Sequence, residues 1–221
     1  MSDIEITVQG NFTAYATPER ATVRLRVGHQ GPEPAAVSTA TTRAADAVRA
    51  SIQPLHQPSS GPVTWWSSQQ LYTASHRPWN KDGKQMPLVH SARMDFEVKF
   101  SDFAVLGTWL GGLTTESGVD VSGIEWALTV GRREQLVDEV RVAAVKDAMA
   151  KARSYASAFG LTSVRAIALA DAGMLGTGLR PDGHQGVAYS RASSDSPKGE
   201  LQFAPSDIAV TASVDARFLA S

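Results

Sequence analysis

Cysteine is absent from the 221 residues, so the chain has no disulfide, no thiol nucleophile and no thiolate ligand for a metal. No apolar run approaches the ~20 residues that a bilayer-spanning helix needs. An excess of either charge is missing too: 21 Lys and Arg stand against 22 Asp and Glu, for a formal net charge of -1. That balance offers no polybasic surface to a phosphate backbone and argues against nucleic-acid binding. The histidines at 29, 56, 76, 90 and 184 show no i, i+4 pair and no zinc-like spacing, so neither a metal nor a cofactor is expected. The opening Met1-Ser2-Asp3-Ile4-Glu5-Ile6 has no basic segment leading into an apolar one, which reads as a cytoplasmic protein.

With 43% hydrophobic residues the chain can bury a sizeable core, and a single domain over 1–221 is expected because β-rich domains often run to ~200–250 residues. Period-two alternation marks strands at Ile4, Ile6 and Val8, and at Ala21, Val23, Leu25 and Val27 opposite Thr22, Arg24 and Arg26. A helix follows through Val37, Ala40, Ala44, Val48, Ile52 and Leu55. A third strand is placed at Val63 to Thr73, then a long hairpin loop at 76–87, then a strand through Ala92, Met94, Phe96, Val98 and Phe100.

Ser101 or Asp102 is positioned to cap a helix carrying Phe103, Leu106, Leu110 and Leu113, with Gly118 as its left-handed end. In the next strand the apolar parity moves from Val119 and Val121 to Ile124, Trp126, Leu128 and Val130, which places a β-bulge at Ser122-Gly123. A long helix then carries Leu136, Val140, Ala144, Ala148, Ala152 and Ala156 every four residues, a methyl-sized stripe that lets a backbone lie close. A short strand at Val164 to Leu169 and a long one from Ile208 to Phe218 complete the order.

The class expected is α+β: a mostly antiparallel sheet with helices on one face, built on a ferredoxin-like β-α-β-β-α-β core plus an added long helix and two strands. The second face of the strands carries Arg24, Arg26, Asp95, Glu97, Lys99, Asp215 and Arg217. Its mixed signs suit either solvation or contacts with another subunit. The Gly-, Ser- and Pro-rich stretch at about 173–205 reads as a mobile excursion.

Reactive constellations are weak. His76 and His90 flank one hairpin and are placed to approach each other, though a plain cross-strand pair is the simpler reading. Gly173-Met-Leu-Gly-Thr-Gly178 lacks the Lys-Ser/Thr pair of a P-loop and the strand–helix context of a dinucleotide fingerprint. Ser190, His184 and Asp171 have the residue types of a triad without a nucleophile elbow. Trp65, Trp66 and Trp79 divide between core and interface roles, since a Trp at a hairpin rim is a frequent interface anchor.

Gly10 after the opening strand, the segment Pro18-Glu-Arg-Ala-Thr-Val-Arg-Leu, and above all Arg141-x-x-Ala-Val-x-Asp-Ala-x-x-Lys-Ala-x-x-Tyr-Ala-x-x-Phe-Gly160 resemble the SIMPL domain family, as does the closing strand. The resemblance implies an α+β domain that forms homo-oligomeric, ring-like or channel-like assemblies and has no established catalytic residues. It implies structural roles for Arg141, Asp147, Ala148, Lys151, Ala152 and Gly160, with Arg141 and Asp147 each expected to hydrogen-bond or pair near the sheet edge. Many relatives are exported to the cell envelope, unlike the expectation from this chain's start. The function expected is therefore a non-enzymatic module that self-associates, with Trp65, Trp66 and Trp79 as interface candidates. The alternative is a small-molecule-binding or hydrolytic protein with its pocket under the 173–205 loop.

Overall fold

A computed structural model of the chain describes residues 3–79, 81, 85–113, 115–175 and 205–221. The elements run β1 (Ile4–Ala16), β2 (Arg20–Gly31), α1 (Pro34–Ile52), β3 (Val63–Ser68), β4 (Tyr72–His76), β5 (Val89–Phe100), α2 (Phe103–Leu113), β6 (Val119–Ala127), α3 (Val130–Ala158), β7 (Val164–Asp171) and β8 (Ile208–Ala220). They form two compact units. The fold is α+β, and every strand pairing is antiparallel, divided between two sheets.

The unit containing β2 to β6 has strand order β3-β5-β2-β6, with β4 also pairing β5. Taken with α1 and α2 as the two crossovers, this is the ferredoxin-like order expected from the sequence. Odd residues of β2 and even residues of β5 point to one side, where Val23, Leu25, Phe96 and Phe100 meet Ile52, Leu106 and Leu110 in a closed core. Asp102 starts α2, its Oδ1 accepting from the amides of Ala104 at 2.9 Å and Val105 at 3.0 Å. β6 slips register between the partners of Arg24 and Leu25, which leaves Ser122 unpaired as the bulge that the parity change predicts.

Three details differ from the expectation. The strand placed at 63–73 is two strands, broken at Gln69 to Leu71, where the Gln69 amide instead donates to the Asp95 carbonyl at 2.9 Å. Gly118 does not end α2, which stops at Leu113; it has φ +80 and leads into β6. A β-carbon there would stand 2.7 Å from the Gly28 carbonyl oxygen, so both conformation and space call for glycine. Val130 belongs to α3 and not to the preceding strand, because Thr129 turns the chain and its Oγ1 caps the Arg132 amide at 3.3 Å.

In the other unit the sheet order is β1-β8-β7, with β1 and β8 paired residue for residue from Ile4↔Ala220 to Ala16↔Ile208. α3 lays Leu136, Val140, Ala144, Ala148, Ala152 and Ala156 on this sheet, and these are its buried residues. The alanine stripe brings the helix against β1 at Gly10. A β-carbon on Gly10 would collide with the Ala144 carbonyl oxygen and stand 2.7 Å from the Ala148 nitrogen.

Candidate functional site

The residues of the α3 motif tie strand to helix. Asp147 and Lys151 form an ion pair at 2.7 Å on the side of α3 beside the edge strand β1. Asp147 Oδ2 accepts the Asn11 amide at 2.8 Å, and Lys151 Nζ donates to the Gln9 carbonyl at 2.9 Å. The pair therefore occupies two backbone groups on either side of Gly10 that an edge strand would otherwise offer to another chain. The Lys151 ammonium, with the Asn11 amide second, holds the Asp147 carboxyl below its ordinary pKa.

Arg141 lies away from this clamp, pairing with Asp138 at 3.5 Å on the exposed helix surface. Ala148 and Ala152 are buried in the stripe. Gly160, at φ +74, ends α3: its amide and that of Leu161 return to the carbonyls of Ser157 and Ala156, the paired bonds of a Schellman motif. These residues shape the helix–sheet contact and present no nucleophile and base together.

The outer face of the β3-β5-β2-β6 sheet is more diverse. Its mixed charges pair within the sheet. Arg24 bonds Glu97 at 3.2 Å and Glu125 at 2.5 Å, and Arg26 bonds Asp95 at 2.7 Å. Both guanidinium pKa values are raised, Arg24 mainly by the hydrogen bond that it donates to Glu97 and Arg26 by the one that it donates to Asp95. Lys99 lies over the Trp65 ring at 5.6 Å. Asp215 and Arg217 belong to the other sheet, where Asp215 accepts from Gln9 and Arg217 is in ion-pair range of Glu5.

Two rows of this ladder lack an anion, Thr22 with Lys99 and Gly28 with Arg93, and only the second has no side chain on β2. Arg93 on β5 stands in register with Gly28 on β2 and with Tyr72 on β4. Its guanidinium lies 4.7 Å from the Tyr72 ring centroid, and it has no carboxylate in ion-pair range among the described residues. With no side chain on Gly28, a cleft of about 610 Å³ opens there, bordered by Arg93, Tyr72, Ser91, Arg26 and Asp120. His29, next to Gly28, turns its side chain to the other face of the sheet, its Nδ1 3.4 Å from the hydroxyl of the buried Thr41.

The three tryptophans separate. Trp66 packs against the core, Trp65 is half exposed on β3, and Trp79 is 86% exposed in the segment joining β4 to β5. His76 pairs in register with Val89 while His90 pairs with Ser75, whose hydroxyl is 2.7 Å from the His90 Nδ1. The two histidines are thus offset along the hairpin. No group of three His, Cys, Asp or Glu residues could hold a metal ion among the described residues. No helix among them is long and apolar enough to cross a membrane. His184, Ser190 and most of the 173–205 segment lie outside the described residues.

Arg93 and Gly28 were missed as site residues by reading along the chain. The available signal was the alternation of charges on β5, in which Arg93, Asp95, Glu97 and Lys99 share a face; its partners on β2 depend on strand register. Residues 6–218 match the model of the SIMPL family, described as a protein of unknown function (DUF541). No curated protein matches the chain.

Proposed function

The chain belongs to the SIMPL family, and from that premise we propose that it is a non-enzymatic module that works by self-association. The observation that carries this reading is Trp79, an indole 86% exposed in the segment linking β4 to β5. A large aromatic held in water forgoes the gain of burial, and such residues are enriched where a partner covers them. Tyr72 at the start of the hairpin and Trp65 on β3 are also exposed, at 55% and 44%, and extend the aromatic surface along the same edge of the sheet.

The sheet's own charges support assembly through this edge. Arg24 and Arg26 on the interior strand β2 are already satisfied by Glu97, Glu125 and Asp95, which leaves the aromatic rings, with Arg93 beside Tyr72, to make a contact at this edge. Light scattering behind a sizing column, across a concentration series, tests the reading. The expected result is a discrete oligomer for the natural sequence and a shift toward monomer in Trp79→Ala. A monomer at every concentration up to the high micromolar range overturns it.

A further inference from the structure

On the outer sheet face of the β2–β6 unit two cations of β2 face anions of β5 in register, Arg24 opposite Glu97 and Arg26 opposite Asp95. The rows on either side carry a β5 cation without an anion: Lys99 stands opposite Thr22, and Arg93 stands opposite Gly28, where β2 offers no side chain at all. Arg93 remains oriented by its contact with Tyr72. The space over Gly28 is the cleft of about 610 Å³.

On the far side of Gly28, β6 brings Asp120 to the same face, in register with Arg26. Asp120 is close enough to raise the Arg26 pKa, yet Arg26 spends its hydrogen bond on Asp95. Asp120 itself has no ion-pair partner within bonding range among the described residues. Arg93 and Asp120 are therefore an unpaired cation and an unpaired anion on the strands flanking β2. Two strand spacings and an offset of two residues along β2 separate their backbones by about 12 Å, and Ser91 also lines the cleft.

We propose that this cleft binds a short ω-amino carboxylic acid, with its carboxylate on the Arg93 guanidinium over Gly28 and its ammonium on Asp120. Arg93 suits the carboxylate because its planar fork donates two parallel hydrogen bonds. The ligand's methylene chain starts over the bare backbone of Gly28, where a side chain would stand in its path, and runs diagonally across β2 toward the Arg26 row, in which Asp120 lies. The site is complete within one copy of the chain; Tyr72 belongs both to its wall and to the aromatic surface proposed for self-association, so solution mass is measured beside ligand binding to tell the two apart.

The test is ligand-observed NMR titration of the full chain with 4-aminobutyrate, butyrate and butylamine. The expected order is 4-aminobutyrate tighter than butyrate, with butylamine weakest. Arg93→Gln is expected to weaken 4-aminobutyrate and butyrate by about tenfold or more, the loss of one charge-assisted pair. Asp120→Asn is expected to weaken 4-aminobutyrate while leaving butyrate unchanged. Gly28→Asp would supply the missing carboxylate from the protein itself and is expected to abolish binding of both acids. Its β-carbon meets only the Ala92 carbonyl closely, at 3.2 Å, and circular dichroism checks that the fold is kept. Absence of 4-aminobutyrate binding at millimolar concentration overturns the proposal, as does binding that Arg93→Gln leaves intact. Equal affinity for butyrate and 4-aminobutyrate overturns the assignment of Asp120 and with it the ligand class.

Discussion

Gly10 on β1 and Ala144 on α3 meet backbone to backbone, so closely that a single β-carbon on Gly10 would overlap the Ala144 carbonyl oxygen. Neither atom belongs to a flexible side chain, so relief requires the helix or the strand to move. Gly10→Ala is expected to destabilise the protein by about 3 kcal/mol, the upper range for overpacking a tight contact. Urea unfolding followed by circular dichroism measures this; a loss under about 1 kcal/mol would mean that α3 shifts on β1 at little expense.

The opposite sign is expected at Gly111 in α2. It lies in a helix, and beyond the helix's own backbone no atom of the described residues comes within 4 Å of the position that a β-carbon would take. Gly111→Ala should stabilise by about 0.4–1 kcal/mol, mainly by narrowing the unfolded ensemble. The same unfolding experiment reports it.

Asp147 predicts a pH dependence. Its folded pKa is depressed by Lys151 and by the Asn11 amide. The stability that it contributes is therefore present above the unfolded aspartate pKa, about 4, and is lost as pH falls through the lower folded value. Asp147→Asn removes that dependence. The natural chain and the variant should differ most at neutral pH and converge toward pH 2 in acid-unfolding curves.

Asp102 holds two amides of the first turn of α2. Asp102→Ala should destabilise by about 1 kcal/mol, within the range for lost N-caps, and Asp102→Ser should restore most of it. Chemical denaturation of both variants distinguishes cap loss from a change of charge.

Legibility in the sequence followed the range of the interactions. The buried set of α3, from Leu136 to Ala156, appears directly as an every-fourth repeat, because helix periodicity depends only on local neighbours. The bulge at Ser122 and the cap at Asp102 were legible for the same reason. The break at Gln69 to Leu71 was hidden because Trp65 and Trp66 blur the alternation of β3, so no face could be assigned. The division into two sheets was hidden because β1 pairs with β8, which is remote in the chain. The candidate cleft was least accessible: Arg93 and Gly28 gain meaning only once register sets them opposite each other. Thr41 shows the same limit on a smaller scale. A hydroxyl on an apolar helix face is fully buried because it donates to the Val37 carbonyl at 2.9 Å within its own helix.

The pairing of β1 with β8 also sets an order of events during synthesis. The elements from β2 to β6 follow one another without interruption and bond among themselves, so they are free to condense while the ribosome is still making α3. β1 emerges before all of them and must wait for β8. Until α3 and then β8 are made, its alternating Ile4, Ile6 and Val8 lack the helix and the strand that cover them. β1 is thus made before β2 to β6 and secured after them, its apolar face open to a chaperone in between.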